Sequence, residues 1–167
     1  MSQIERTLIV LKPDTLARGL CGEILTRFEK VGLKIVAMKM LKPNKDFFYH
    51  HYETIGSMIS RRGEKPFNDN LIYMQKSPVI AIVLEWIEAP KLVRKMVGTT
   101  EPQAALPGTV RGDYAHISFP YADSVDKAIP NLIHASGDSQ EAEQEIAHWF
   151  QPEELFDYAR ADQEFMY

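Results

Sequence analysis

The sequence predicts an α+β fold: a ferredoxin-like (βαββαβ) four-stranded antiparallel sheet with helices on one face, in a single domain over residues 1–167. Three observations predict it. Short apolar runs bounded by turn residues alternate with stretches whose apolar positions recur every three or four residues, as when strands alternate with amphipathic helices. The order reads strand, helix, strand, helical insert, strand, helix, strand, helix, and removing the insert leaves two β-α-β halves. Only four runs make good strands, which disfavours the alternative of a doubly wound parallel sheet.

Thr7-Leu8-Ile9-Val10-Leu11 reads as a buried strand that ends at Lys12-Pro13-Asp14. Asp14 can cap a helix whose apolar positions Leu16, Leu20, Ile24 and Phe28 are spaced by four, with Gly32 as its stop. A second strand follows over 33–41 and ends at Pro43. Residues 46–55 predict a helix with Phe47, Phe48 and Tyr52; 56–63 reads as a loop and 65–75 as a short helix. The run 79–84 is the clearest buried strand. Pro90 suits a helix start and Gly98 its end. A loop over 99–112, a weaker strand over 113–118, and a helix after Asp138 burying Ala142, Ile146 and Trp149 or Phe150 complete the pattern. The tail, 152–167, is acidic and aromatic and predicts packing on the surface or against a neighbour.

The formal charge of −4 argues against a general nucleic-acid binder, though not against a small basic pocket for an anionic metabolite. Cys21 is the one cysteine, so no internal disulfide can form, consistent with a reducing compartment. The polar start, Met1 to Arg6, lacks a signal-like apolar run, and no apolar run approaches the roughly 20 residues that span a bilayer. The expectation is a soluble cytoplasmic protein with no membrane partner and no nucleic acid as primary partner.

No P-loop, dinucleotide fingerprint or cysteine–histidine zinc spacing is present. The run Asn131-Leu132-Ile133-His134-Ala135-Ser136-Gly137-Asp138-Ser139 carries the chemistry instead. Asp138 and Ser139 are good N-caps and Glu141 suits a first helical turn, so His134 lies just before a helix start. Helix N-termini favour anions, and a histidine beside one points to phosphoryl chemistry on the imidazole. Lys12, Arg94 and Arg111 lie at element ends or in a helix, with Thr100 near Arg111 in sequence. His50-His51 reads as a solvated pair, and His116 and His148 as structural. Arg111-Gly112-Asp113 spells an adhesion tripeptide that a chain without an export signal gives no reason to use.

These segments, taken in order, resemble the nucleoside diphosphate kinases. The matching stretches are Glu5-Arg6-Thr7-Leu8 through Lys12-Pro13-Asp14, Arg18-Gly19-Leu20, His51-Tyr52, Lys65-Pro66-Phe67, Arg94 to Thr100, Pro107 to Asp113, Asn131 to Ser136, Glu145-Ile146 and Trp149-Phe150. The resemblance implies a ping-pong reaction. The γ-phosphate of a nucleoside triphosphate such as ATP moves to His134 and from the phosphohistidine to a nucleoside diphosphate, maintaining triphosphate pools. It implies that Glu145 bonds the other ring nitrogen and that Ser136 supports Glu145. Lys12 and Asn131 would reach phosphate and the ribose 3′-hydroxyl, with Tyr52 close by. Arg94, Thr100 and Arg111 would hold phosphates, while Phe67 would stack on the base and Leu71 would line the same slot. Mg²⁺ is expected through the nucleotide phosphates with no dedicated protein ligands, and the family forms homo-oligomers, tetramers or hexamers. This chain departs from the family pattern at Gly137, which interrupts the signature, and in the longer segments 56–63 and 118–127.

Overall fold

The computed structural model describes residues 4–165; residues 1–3 of the polar start and 166–167 of the tail lie outside them. Strands β1 (Ile4–Leu11), β2 (Lys34–Leu41), β3 (Val79–Ile87) and β4 (Ile133–Ala135) form one antiparallel sheet in the order β2-β3-β1-β4. This is the sheet order of the expected ferredoxin-like fold. A bulge between Ile35 and Ala37 gives β2 one extra residue against β3.

The two central strands are apolar on both sides, which explains their unbroken hydrophobic runs. Leu8 and Val10 pack in one cluster with Phe48, Phe67, Ile146 and Trp149. Ile9 and Leu11 point the other way, into a cluster with Ile24, Phe28, Val93 and Val97. Helices therefore cover both faces of the sheet, rather than one. The insert and the C-terminal helix, α9 (Ser139–Trp149), close the face that a bare four-stranded unit would leave in water.

The spacing from Leu16 to Phe28 spans two helices instead of one. Gly19, at φ +66°, redirects the chain between α1 (Pro13–Ala17) and α2 (Cys21–Lys30). Asp14 sits inside α1 rather than capping it, and its carboxylate accepts the Leu132 N–H across the molecule at 3.0 Å. In the insert, Asn44 caps α3 (Lys45–Tyr49), which widens into a π-helical turn over His50–Ile55. The expected loop over 56–63 contains α4 (Met58–Arg62), and α5 (Glu64–Met74) follows. After β3 comes α6 (Ala89–Val97), ended by Gly98.

The strand expected over 113–118 is absent. Thr109 accepts the Gly112 N–H at 3.0 Å and caps α7 (Val110–Tyr114), and Asp113 accepts the Gly108 N–H and pairs with Arg27. Those local side-chain bonds draw the segment into a helical turn. Next comes α8 (Phe119–Ser124), and the fourth strand is β4, which carries His134 itself. The tail lies along the β2 edge, where the Phe156 N–H reaches the Val36 carbonyl at 2.8 Å and the Tyr158 hydroxyl reaches that of Ile35 at 2.7 Å. Among the described residues no helix is long and apolar enough to cross a membrane.

The tripeptide Arg111-Gly112-Asp113 owes its glycine to packing. A Cβ at Gly112 would lie 2.0 Å from the Leu106 carbonyl oxygen. We expect Gly112→Ala to destabilise the fold by about 2 kcal/mol, the scale of a forced backbone shift. Thermal unfolding should then shift downward by roughly 4–8 °C; an unchanged midpoint would contradict the contact.

Candidate active site

Strand pairing decides where His134 points. It lies opposite Val10 in the β1–β4 ladder, so both side chains project from the same face, toward α9 and the insert. There the Nε2 atom of His134 lies 2.7 Å from Oε1 of Glu145, which α9 holds fully buried. The second carboxylate oxygen of Glu145 accepts the Ser136 hydroxyl at 2.6 Å, and the Ser136 oxygen accepts the Leu8 N–H at 3.1 Å. A carboxylate facing Nε2 assigns the proton to that nitrogen and leaves the Nδ1 lone pair directed at the cleft. Burial, then the positive charge of Lys12, pulls His134 down to about 3, so its imidazole is neutral at physiological pH. Burial raises Glu145.

Gly137 does not disturb this arrangement. Asp138 accepts the Glu141 N–H at 2.8 Å and starts α9, while Ser136, ahead of the glycine, keeps its bond to Glu145. The chain enters β4 through a γ-turn: Leu132 has φ +72°, and the Ile133 N–H donates to the Asn131 carbonyl at 2.8 Å. That conformation is costly for a buried non-glycine residue. It is held by Asp14 on the Leu132 N–H and by the Lys12 N–H and the Thr15 hydroxyl on its carbonyl.

His134 opens into a cleft of about 480 Å³. Lys12, at the end of β1, donates to the Asn131 side-chain oxygen at 2.8 Å, and the Asn131 amide nitrogen donates to the Thr100 carbonyl at 2.8 Å. Burial and then the Arg111 charge bring Lys12 down to about 7. Arg111 is itself buried and donates to the carbonyls of Asn131, Gly98 and Ile133, and burial followed by the Arg94 charge lowers it to about 10. Arg94 and Thr100 also line the cleft, as does Tyr52, whose ring meets that of His134 edge-on at 5.9 Å and whose hydroxyl burial raises in pKa. Among the described residues Lys12, Arg94 and Arg111 form no ion pair, and such cations around a neutral imidazole can receive a polyanion, although Asp69, Asp123 and Glu141 also line the cleft.

Two expected residues do not face this cleft. Phe67 is 3% exposed and Leu71 1%, both in the apolar cluster behind the insert, with the Phe67 ring edge-on to Tyr49. Their neighbours Pro66, Asp69 and Asn70 line the wall instead.

Sequence reasoning missed several residues that the structure brings to the site. His50 is exposed, as expected, but His51 is buried; its Nδ1 accepts the Trp149 N–H at 3.1 Å, and its ring lies edge-on to His134 with centroids 4.5 Å apart. The π turn rotates this part of the insert so that His51 and Tyr52 both face inward, and no spacing rule for an α-helix reports that. Arg61, Arg62 and Phe119 also line the cleft. His51, His134 and Glu145 have ligand-type atoms within 4.8 Å of one another, which would suit a metal ion. Two of those atoms are already engaged with each other and the third with Trp149, so Glu145 holds the imidazole by a hydrogen bond while the His51 ring packs edge-on against it.

Comparison with known proteins identifies the family. The sequence model of the family Nucleoside diphosphate kinase matches residues 5–155. The nucleoside diphosphate kinase of Pyrococcus horikoshii is 49% identical over 162 residues, which cover 96% of this chain and 94% of that protein. A solved nucleoside diphosphate kinase from Borrelia burgdorferi, a transition-state mimic with bound vanadate and ADP, superposes with a TM-score of 0.92 at 40% identity, covering 96% of this chain and 95% of that one. The enzyme from Halobacterium salinarum in complex with CDP gives a TM-score of 0.83 at 34% identity, covering 99% of each. This chain belongs to the nucleoside diphosphate kinase family.

Proposed function

We propose that Nδ1 of His134 is the phosphoryl acceptor and donor of this chain's nucleoside diphosphate kinase reaction. One observation carries the assignment: Glu145 engages Nε2, so a single ring nitrogen remains, and it opens into a cleft lined by cations. In the first half-reaction the Nδ1 lone pair attacks the γ-phosphorus of a nucleoside triphosphate. The bond from that phosphorus to the β–γ bridging oxygen breaks, and the nucleoside diphosphate leaves with those electrons. In the second, a terminal oxygen of another nucleoside diphosphate attacks the phosphorus and the P–N bond breaks, restoring neutral His134. The developing imidazolium keeps its Nε2 proton against the Glu145 carboxylate.

The remaining roles follow from position. Lys12, Arg94 and Arg111 neutralise phosphate charge, with Thr100 beside them. Asn131, tied to Lys12, would reach the ribose hydroxyl, and Tyr52, whose ring meets that of His134, would pack beside the transferred group. Ser136 orients Glu145. Mg²⁺ would be carried on the nucleotide: Lys12, Arg94 and Arg111 line the cleft and would hold phosphate oxygens, and the ion would supply further charge neutralisation when bound. The vanadate–ADP complex of the Borrelia burgdorferi enzyme supports a phosphoryl-transfer reading. The assembly is a homo-oligomer, tetramer or hexamer, and the location cytoplasmic; the family pattern supports the first, and a free thiol at Cys21 agrees with the second.

Incubation with γ-labelled ATP and Mg²⁺ should give an acid-labile, base-stable label that leaves when a nucleoside diphosphate is added. Folded protein that takes no label would refute the reading, and His134→Ala should take none while keeping the fold. Glu145→Gln should slow labelling by roughly 100-fold or more, as when a catalytic histidine loses its orienting carboxylate; wild-type labelling by this variant would remove Glu145 from the mechanism. The pH profile gives a further check. Lys12 holds its proton below about 7 and loses it above, so kcat/KM should fall as pH rises through that value. A bound polyanion favours the charged form, so the limb in kcat should lie at higher pH. Coincident limbs would mean that Lys12 does not meet phosphate.

A further inference from the structure

Glu141 lies one turn before Glu145 on α9, so the two carboxyl groups share a face of the helix, and both line the cleft. Glu145 is fully buried, whereas Glu141 is half-buried and, among the described residues, forms no ion pair. The Glu141 side chain bonds to that of Glu145. Two carboxyl groups can share a hydrogen bond only if one keeps its proton. Glu145 already receives the Ser136 hydroxyl and the His134 Nε2–H, so it is the acceptor and Glu141 the donating acid. Burial and then the charge of Glu145 raise the pKa of Glu141, as that assignment requires. Gly137 makes room for this contact. Its φ lies outside the left-handed region, so backbone conformation does not demand a glycine. Space does: a Cβ there would lie 2.6 Å from Oε2 of Glu141. That atom ends a flexible side chain, so a larger residue would push the carboxyl aside and leave the backbone in place. Gly137 is also where this chain departs from the family pattern.

We propose that Glu141 is a positioning residue for phosphoryl transfer: in the space that Gly137 leaves, its carboxylic acid donates a hydrogen bond to Glu145 and steadies the carboxylate that orients His134. This rests on the kinase reading above. Three donors, from Ser136, His134 and Glu141, then hold one buried charge, which stays aimed at Nε2 as the imidazolium develops. The groups that face the pair are His134 from β4, His51 from the π turn, Arg61 from α4 and Asp138 at the start of α9. Burial keeps both histidines neutral, so Arg61 is the cation among them. The bond is present below the raised pKa of Glu141. Above it two carboxylates face each other and repel, and the support is lost.

Labelling rates and a carboxyl titration test the pair. Glu141→Ala should slow phosphohistidine formation roughly tenfold at saturating ATP, the scale of one lost bond to a charged group, with little change in the ATP concentration that gives half the maximal rate. Glu141→Gln keeps a donor and should recover most of that rate. Gly137→Ala should slow labelling as Glu141→Ala does, and the double variant should be no slower than Glu141→Ala alone. In carbon-13 NMR of labelled glutamate carboxyls, without nucleotide, the Glu145 midpoint should rise in Glu141→Ala and return in Glu141→Gln. Wild-type labelling by Glu141→Ala, additive losses in the double variant, or an unmoved Glu145 midpoint would overturn the proposal. The titration needs no turnover, so the two readings fail separately. Wild-type protein that takes no label, yet shows the Glu145 midpoint rising in Glu141→Ala, would refute the kinase reading and leave the carboxyl pair in place.

Discussion

The bond between His134 and Glu145 is the interaction on which the rest of the site depends. It joins an edge strand of three residues to a helix on the same face, and it fixes which ring nitrogen is available. A buried carboxylate is costly unless its oxygens are satisfied. Here Ser136 and His134 satisfy them, and Ser136 is in turn tied to the β1 backbone at Leu8. Sheet pairing, helix docking and imidazole tautomer are thus one connected arrangement.

A second constraint sets the other wall. The backbone enters β4 through the γ-turn at Leu132, and the groups that hold it come from the first residues after β1. The same short stretch, Lys12-Pro13-Asp14-Thr15, supplies a cation to the cleft and acceptors or donors to the turn. The Lys12 cation and the turn that places His134 are therefore built by adjacent residues, which explains how a site drawn from both ends of the chain keeps its register.

Much of this was legible in the sequence. The central strands show themselves as unbroken apolar runs, α6 and α9 by their periodicity and end signals, and the cationic set by family resemblance. What could not be read has physical reasons. β4 is three residues long with a polar one in the middle, too short for any pattern. Residues 113–118 alternate like a strand, but the Thr109 cap and the Asp113 bonds win locally. His51 was hidden by the π turn. The burial of Phe67 depends on which side of α5 meets the sheet, and that is settled by packing between distant segments rather than by neighbours in sequence.

Arg111 carries a consequence of its own. A guanidinium has five N–H bonds, and three of its nitrogens are already committed to the carbonyls of Gly98, Asn131 and Ile133. Only the remaining hydrogens can be offered to a phosphate. The residue proposed to hold phosphate is also the brace that ties the loop after α6 to the strand bearing His134. Affinity and architecture are inseparable at this position, and lysine, with a single point of charge and no fork, could supply one of these functions but not both.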